Sequence, residues 1–158
     1  MSKPFVRNAT SDDAVQIVDI HSRSVRELCS GDYTTKQINA WIGKRTPEDM
    51  ALRIARHPFF VVDWDGKLTG YATYNVNSNE LLSIYVNPDF ARQGVASALM
   101  NELLEDARSK GLTTLWLDAS LTAVPFYETV GFMRTIETIH AFTGVPLECV
   151  RMEMSLTG

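Results

Sequence analysis

The sequence predicts an α+β fold. The stretch before Phe59 carries mainly helix signals, three β-rich runs follow in succession between Phe59 and Val86, and the longest amphipathic helix comes only afterwards, from about Gly94 to Lys110. Successive strands joined by short turns pair antiparallel in the simplest topology.

Each element has a local cause. Lys3-Pro4-Phe5-Val6-Arg7 reads as a short edge strand, where a proline is tolerated. Thr10-Ser11-Asp12-Asp13 offers a cap and acidic groups for a helix running to about Cys29 on the apolar spacing Val15, Val18, Ile20, Val25 and Leu28. A second helix spans about Thr35 to Ile42 before Gly43. A third starts with Thr46 as cap and Pro47 at the first helical position, and stops at His57-Pro58.

Phe59 to Trp64 is then β-rich, Asp65-Gly66 is a hairpin turn, and Lys67 to Val76 holds the returning strand, with Gly70 inside it. A third strand runs from Glu80 to Val86 and ends at Asn87-Pro88-Asp89. The long helix presents Val95, Ala98, Leu99, Leu103, Leu104 and Ala107 on one face and is capped by Gly111. Strand Leu112–Ala119, a short helix Thr122–Val130, a strand from Phe132 to about Ile139 and a last strand Leu147–Ser155 complete the chain.

The 158 residues make one domain, 1–158, with ample apolar material for a continuous core. Fifteen Lys and Arg against 19 Asp and Glu give a formal charge of −4, and no basic run is present. That argues against a nucleic-acid partner and mildly favours a cationic one such as an amine. Cys29 and Cys149 form no CxxC, and His21, His57 and His140 form no ligand pattern, so no metal is expected. The N-terminus has no apolar signal core and no run approaches the ~20 apolar residues of a membrane span. The expectation is a soluble cytoplasmic protein that does not act at a membrane.

The informative segment is Val86-Asn87-Pro88-Asp89-Phe90-Ala91-Arg92-Gln93-Gly94-Val95-Ala96-Ser97, where a strand feeds a loop that becomes the first turn of the long helix. The amides of Arg92, Gln93, Gly94, Val95, Ala96 and Ser97 converge there on space that suits a phosphate or diphosphate, with Gly94 permitting close backbone approach. The segment is neither GxGxxG nor GxxxxGK[ST], and an ordinary strand-to-helix turn is the competing explanation for the loop alone.

The stretch from Leu81 to Phe132 resembles the GNAT superfamily of N-acetyltransferases. Its cofactor loop, [QR]-x-x-G-x-[GA], corresponds to Ala91-Arg92-Gln93-Gly94-Val95-Ala96, and its later helix segment corresponds to Phe126-Tyr127-Glu128-Thr129-Val130-Gly131-Phe132. Ala91 departs from the first position, leaving the backbone amides and the neighbouring Arg92 to meet the phosphates. Leu117-Asp118-Ala119-Ser120 and Gly144-Val145-Pro146-Leu147-Glu148-Cys149 are similar to a bacterial YafP-like subgroup.

The resemblance implies a mixed, mainly antiparallel sheet with a splayed parallel pair and helices on both faces. It also implies acetyl-CoA as donor and an amine, small-molecule or protein, as acceptor; a homodimer is an arrangement the family permits. Backbone groups around Ile84, Tyr85 and Val86 would pair with the pantetheine arm, and an amide near Val86 would hold the thioester oxygen as it gains charge. Ser120 stands where many relatives carry an asparagine that bonds the arm, although its hydroxyl could equally cap the following helix. Phe126 would pack on the cofactor or in the core.

An alkylamine of pKa near 10.4 is almost wholly protonated at pH 7, so a proton acceptor assists attack. Glu80, eleven residues before Ala91, stands where the resemblance to histone-acetylating relatives implies the base, with ordered water as the alternative and a solvated strand-end carboxylate as the competing role. Tyr127, within Phe126-Tyr127-Glu128, matches the family's general-acid tyrosine, which the resemblance implies would protonate the leaving thiolate; its competing role is that of a core aromatic. By family analogy the acceptor enters between Ser30–Trp41 and His140–Pro146, with Tyr33 and Trp41 as an aromatic wall. The alternatives to the enzyme are a noncatalytic acyl-CoA-binding module and a nucleotide-binding regulatory domain.

Overall fold

The computed structural model describes residues 3–142 and 144–157, with the side chains of all of these except residues 140–142. Seven strands form one sheet in the order β1-β2-β3-β4-β5-β7-β6. They are β1 (Phe5–Asn8), β2 (Phe59–Trp64), β3 (Lys67–Asn75), β4 (Glu80–Val86), β5 (Thr114–Ser120), β6 (Met133–Phe142) and β7 (Val145–Ser155). The helices are α1 (Ala14–Leu28), α2 (Thr35–Ile42), α3 (Pro47–Arg56), α4 (Val95–Ser109) and α5 (Val124–Val130). Every pairing is antiparallel except β4 with β5.

Local chemistry explains the helix starts. The Thr34 and Thr46 hydroxyls accept from the Gln37 and Asp49 amides, each at 3.1 Å, and Pro47 needs no amide partner where it stands. A short turn, Ser11–Asp13, leads into α1, and there the Asp13 carboxylate reaches back to accept from the Thr10 amide at 2.8 Å and from Arg7. Asp65 and Gly66 both take positive φ, and the Asp63 carboxylate accepts from the Gly66 amide, as a tight hairpin requires.

Alternating strand residues separate two cores. Phe60, Val62, Ala72 and Tyr74 pack with α4, α5 and β5; Phe59, Val61 and Tyr71 pack with α1 and α3. A third cluster joins Val25, Cys29, Tyr33, Ile38 and Trp41 to Leu147. Gly70 lets α4 sit close on β3, because a Cβ there would lie 2.7 Å from a Val95 methyl.

Four expectations shift. The helix expected from Thr122 begins at Val124, and its cap is Ala123 rather than Ser120, because β5 continues to Ser120 in pairing with Cys149. The strand expected to begin at Leu112 begins at Thr114, where pairing with Ser155 starts. The returning strand β3 stops at Asn75, whose carboxamide accepts from the amides of Asn77 and Ser78. Finally, β6 and β7 pair out to Phe142 and Val145, lengthening a hairpin read as two shorter strands, with Gly144 at φ 78° in the turn.

Candidate active site

The sheet opens at its centre. Between the parallel strands β4 and β5 only Glu80 and Trp116 are in register, and Leu82 is an extra residue that shifts β4 against β3. A bulge bends its strand, and here the bend leaves the rest of β4 without a neighbour on that edge. Most of β4 is consequently half-buried although it lies mid-sheet. The opening is a cleft of about 770 Å³.

One end of the cleft is the start of α4. Arg92 and Gly94 take φ of 63° and 81°, and the main-chain NH groups of residues 92–97 donate to no described residue. Nothing lies within 4 Å of where a Gly94 Cβ would be, so the space above the turn is open. The loop is anchored from beneath. The Asn87 amide donates to the Thr69 carbonyl at 2.8 Å, its buried side chain accepts from the Asp89 amide, and Arg23 of α1 bonds both Asn87 and Asp89.

Tyr127 lines the middle of the cleft from α5. Its ring packs edge-on against Phe126 and Phe132, and its hydroxyl bonds to no described residue. Burial, with a smaller contribution from Tyr85, pushes its pKa well above the ordinary phenol value. Tyr85 faces the α1–α3 side, where His21 meets it edge-on with ring centroids 4.8 Å apart and the Trp41 indole NH donates to its hydroxyl at 3.2 Å. Burial raises Tyr85 to about 12, against the lowering effect of Arg45 and the Trp41 bond.

Glu80 lines the base of the cleft, within electrostatic reach of Arg151. Arg151 is itself bound by Asp118 at 2.8 and 2.9 Å and lies over the Trp116 ring at 4.5 Å. On the far wall the Tyr33 hydroxyl accepts from the Leu121 amide at 2.8 Å and donates to the Glu148 carbonyl at 2.7 Å, tying the ends of β5 and β7 together.

Comparison with known proteins decides the family. Residues 29–156 match the acetyltransferase (GNAT) domain family. The chain belongs to the GNAT acetyltransferases. It is 31% identical over 132 residues to the uncharacterised N-acetyltransferase YafP of Escherichia coli, covering 84% of this chain and 83% of that one. A GCN5-related N-acetyltransferase structure from Rhodopseudomonas palustris superposes with a TM-score of 0.92 at 25% identity, over 98% and 97% of the two chains. The PaiA N-acetyltransferase of Thermoplasma acidophilum, solved in complex with coenzyme A, shares the fold with a TM-score of 0.79 at 20% identity, over 98% and 99% of the chains.

The GNAT fold gathers nearly all the residues singled out from the sequence. Glu80, Ile84, Tyr85, Val86, Arg92, Gly94, Val95, Ala96, Ser97, Ser120, Phe126 and Tyr127 line the one cleft; Gln93 is in the loop without lining it. Ser120 lies at the end of β5, its hydroxyl accepting from the Ala123 amide at 3.3 Å. Tyr33 and Trp41 line the cleft; of the second stretch expected beside them, Gly144, Val145 and Pro146 do not line it, and Thr143 and the side chains of 140–142 lie outside the described residues. Arg45, Arg53, Cys29 and Cys149 also line the cleft and carried no local signal, since only tertiary packing brings them there. Among the described residues no cluster of three or more His, Cys, Asp or Glu could hold a metal, and no helix is long and apolar enough to cross a membrane.

Proposed function

We propose that residues 1–158 act as one catalytic domain that moves an acetyl group from acetyl-CoA to a primary amine by direct attack, with both substrates bound at once. The observation that carries this reading is the open row of amides at residues 92–97, set at the mouth of a cleft that Tyr127 lines. An array of unpaired donors at a helix start suits a diphosphate. A cleft of about 770 Å³ beside an unpaired strand edge suits a long, amide-bearing arm.

The bound thioester supplies the activated acyl group. The chain's part is placement and charge. Amides 92–97, with Arg92, hold the diphosphate; Ile84, Tyr85 and Val86 pair with the arm through their backbones, and the Val86 region holds the carbonyl oxygen as charge develops. Ser120 and Phe126 flank the arm from β5 and α5. A carbon–nitrogen bond forms as the carbon–sulfur bond breaks, the amine's proton leaves to Glu80 or to water, and the Tyr127 hydroxyl donates to the departing sulfur.

Thiol release from acetyl-CoA in the presence of an amine panel tests the reading. Release that depends on amine supports it. Coenzyme A binding by calorimetry without release under any amine leaves the acyl-CoA-binding module, and tighter binding of ATP or NAD than of CoA leaves the nucleotide-binding domain.

A further inference from the structure

Besides Arg92 at the phosphate loop, two arginines that line the cleft, Arg45 and Arg53, hold no carboxylate among the described residues. Arg45, in the α2–α3 connection, is half-buried, and Arg53 lies on α3. Neither side chain makes an ion pair or hydrogen bond with a described residue, and the nearest carboxylates in sequence, Glu48 and Asp49, pair with neither. Arg7, Arg23 and Arg151, by contrast, each hold a carboxylate.

The two arginines share one site. Both line the same cleft, Arg45 half-buried and Arg53 exposed, and both lower the pKa of the same three rings, His21, Tyr71 and Tyr85. His21 lies in that patch fully buried, with neither ring nitrogen hydrogen-bonded, and cannot serve as an anionic partner. The patch is on the α1–α3 side, across the sheet from the Val95 and Leu99 packing of α4. Two like charges lining one cleft repel, and a ligand anion between them relieves that repulsion. A planar guanidinium fork matches a carboxylate or phosphate in two-point contact.

We infer that the acceptor amine also carries an anionic group, a carboxylate or a phosphate, which Arg45 and Arg53 bind on the α1–α3 side while the amine reaches the thioester. The inference rests on the acetyl-transfer reading above. Trp41 and Tyr85 form the floor between the two ends, so the acceptor's body is short and in part apolar.

Matched acceptor pairs test it: β-alanine against β-alaninamide, and phosphoethanolamine against ethanolamine, each in thiol release at saturating acetyl-CoA. The anionic member of at least one pair is expected to show KM lower by about tenfold or more. Arg45→Gln and Arg53→Gln should erase that preference, leave KM for the neutral member unchanged and leave coenzyme A affinity by calorimetry unchanged. Arg45→Lys should restore part of it.

A readout independent of turnover is titration of the coenzyme A complex with acetate or inorganic phosphate, followed by tryptophan fluorescence. Saturable quenching is expected in the wild type, with none in the folded double variant. Preference for the neutral amines, anion titrations that leave the wild type unchanged, or arginine variants that weaken coenzyme A instead would each overturn the inference. Failure of the parent reading looks different: no amine of either kind would promote thiol release.

Discussion

Glu80 pairs with Trp116 at the single registered point between β4 and β5, and the two strands part immediately beyond it. Trp116 is the hinge post of the cleft. Its amide donates to the Asn79 carbonyl at 3.1 Å, its indole NH donates to the Ser78 carbonyl at 2.9 Å, and Arg151 lies over its ring. Trp116→Phe keeps an aromatic ring but frees the Ser78 carbonyl. The expected cost is about 1 kcal/mol, or ~2–4 °C in Tm for a chain of this length. Coenzyme A affinity measured by calorimetry should fall as well, because the closed end of the cleft loosens.

Much of this arrangement could be read locally. Thr34 and Thr46 act through hydroxyls that reach amides three residues on, and Asp65-Gly66 and Gly94 through their own φ, so caps and turns fall where the residue types place them. The bulge at Leu82 could not be read. It exists because Thr73 meets Ser83 while Tyr74 meets Leu81, and such register is a property of two strands rather than one. Ser120 shows the competing case. A serine before a helix resembles a cap, but pairing with Cys149 keeps it in β5 and moves the helix start to Val124. Arg45 and Arg53 have ordinary surface sequence contexts and enter the site only because α1–α3 fold against β4.

His21 makes stability depend on pH. Burial, assisted by Arg45 and Arg53, lowers its pKa in the folded protein from 6.5 to about 3. Between those values the unfolded chain binds a proton that the folded chain refuses, so stability falls as pH drops below 6.5, by up to ~1.4 kcal/mol per pH unit. His57, also lowered by partial burial, adds a shallower slope of the same sign. Denaturant midpoints between pH 4.5 and 7 should therefore rise with pH in the wild type. His21→Phe, which retains the edge-on contact with Tyr85, should lose most of that slope and be the more stable protein at pH 5.

Gly70 controls how closely α4 approaches the sheet. In Gly70→Ala the new methyl carbon would sit 2.7 Å from Val95 Cγ1, 3.0 Å from the Tyr85 carbonyl oxygen and 3.1 Å from Leu99 Cδ1. Overpacking of this kind costs about 1–3 kcal/mol. Because Val95 opens α4 and Tyr85 belongs to the free strand edge, coenzyme A affinity should fall together with Tm. Adding Val95→Ala removes the shortest contact, and the double variant should recover part of both. A double variant no better than Gly70→Ala would place the strain at the Tyr85 carbonyl, which is backbone and cannot yield.

Tyr127 separates chemistry from packing. Its phenol is held well above its ordinary pKa by burial, so it stays protonated across the usable pH range. A thiolate of pKa near 8.5 is a weaker base than that phenolate, and complete proton transfer between them runs uphill. The hydroxyl therefore acts by donating a hydrogen bond as charge builds on sulfur, an interaction of about 1.5–3 kcal/mol with a charged acceptor. Tyr127→Phe should lower turnover about 10- to 100-fold with coenzyme A affinity unchanged. The hydroxyl bonds to no described residue, so Tm should hold steady or rise slightly. A purely structural tyrosine would give the opposite pattern, with Tm falling and turnover per folded molecule preserved. The wild-type rate should also show no falling limb from this group up to pH 10, since the raised pKa postpones its ionisation beyond that point.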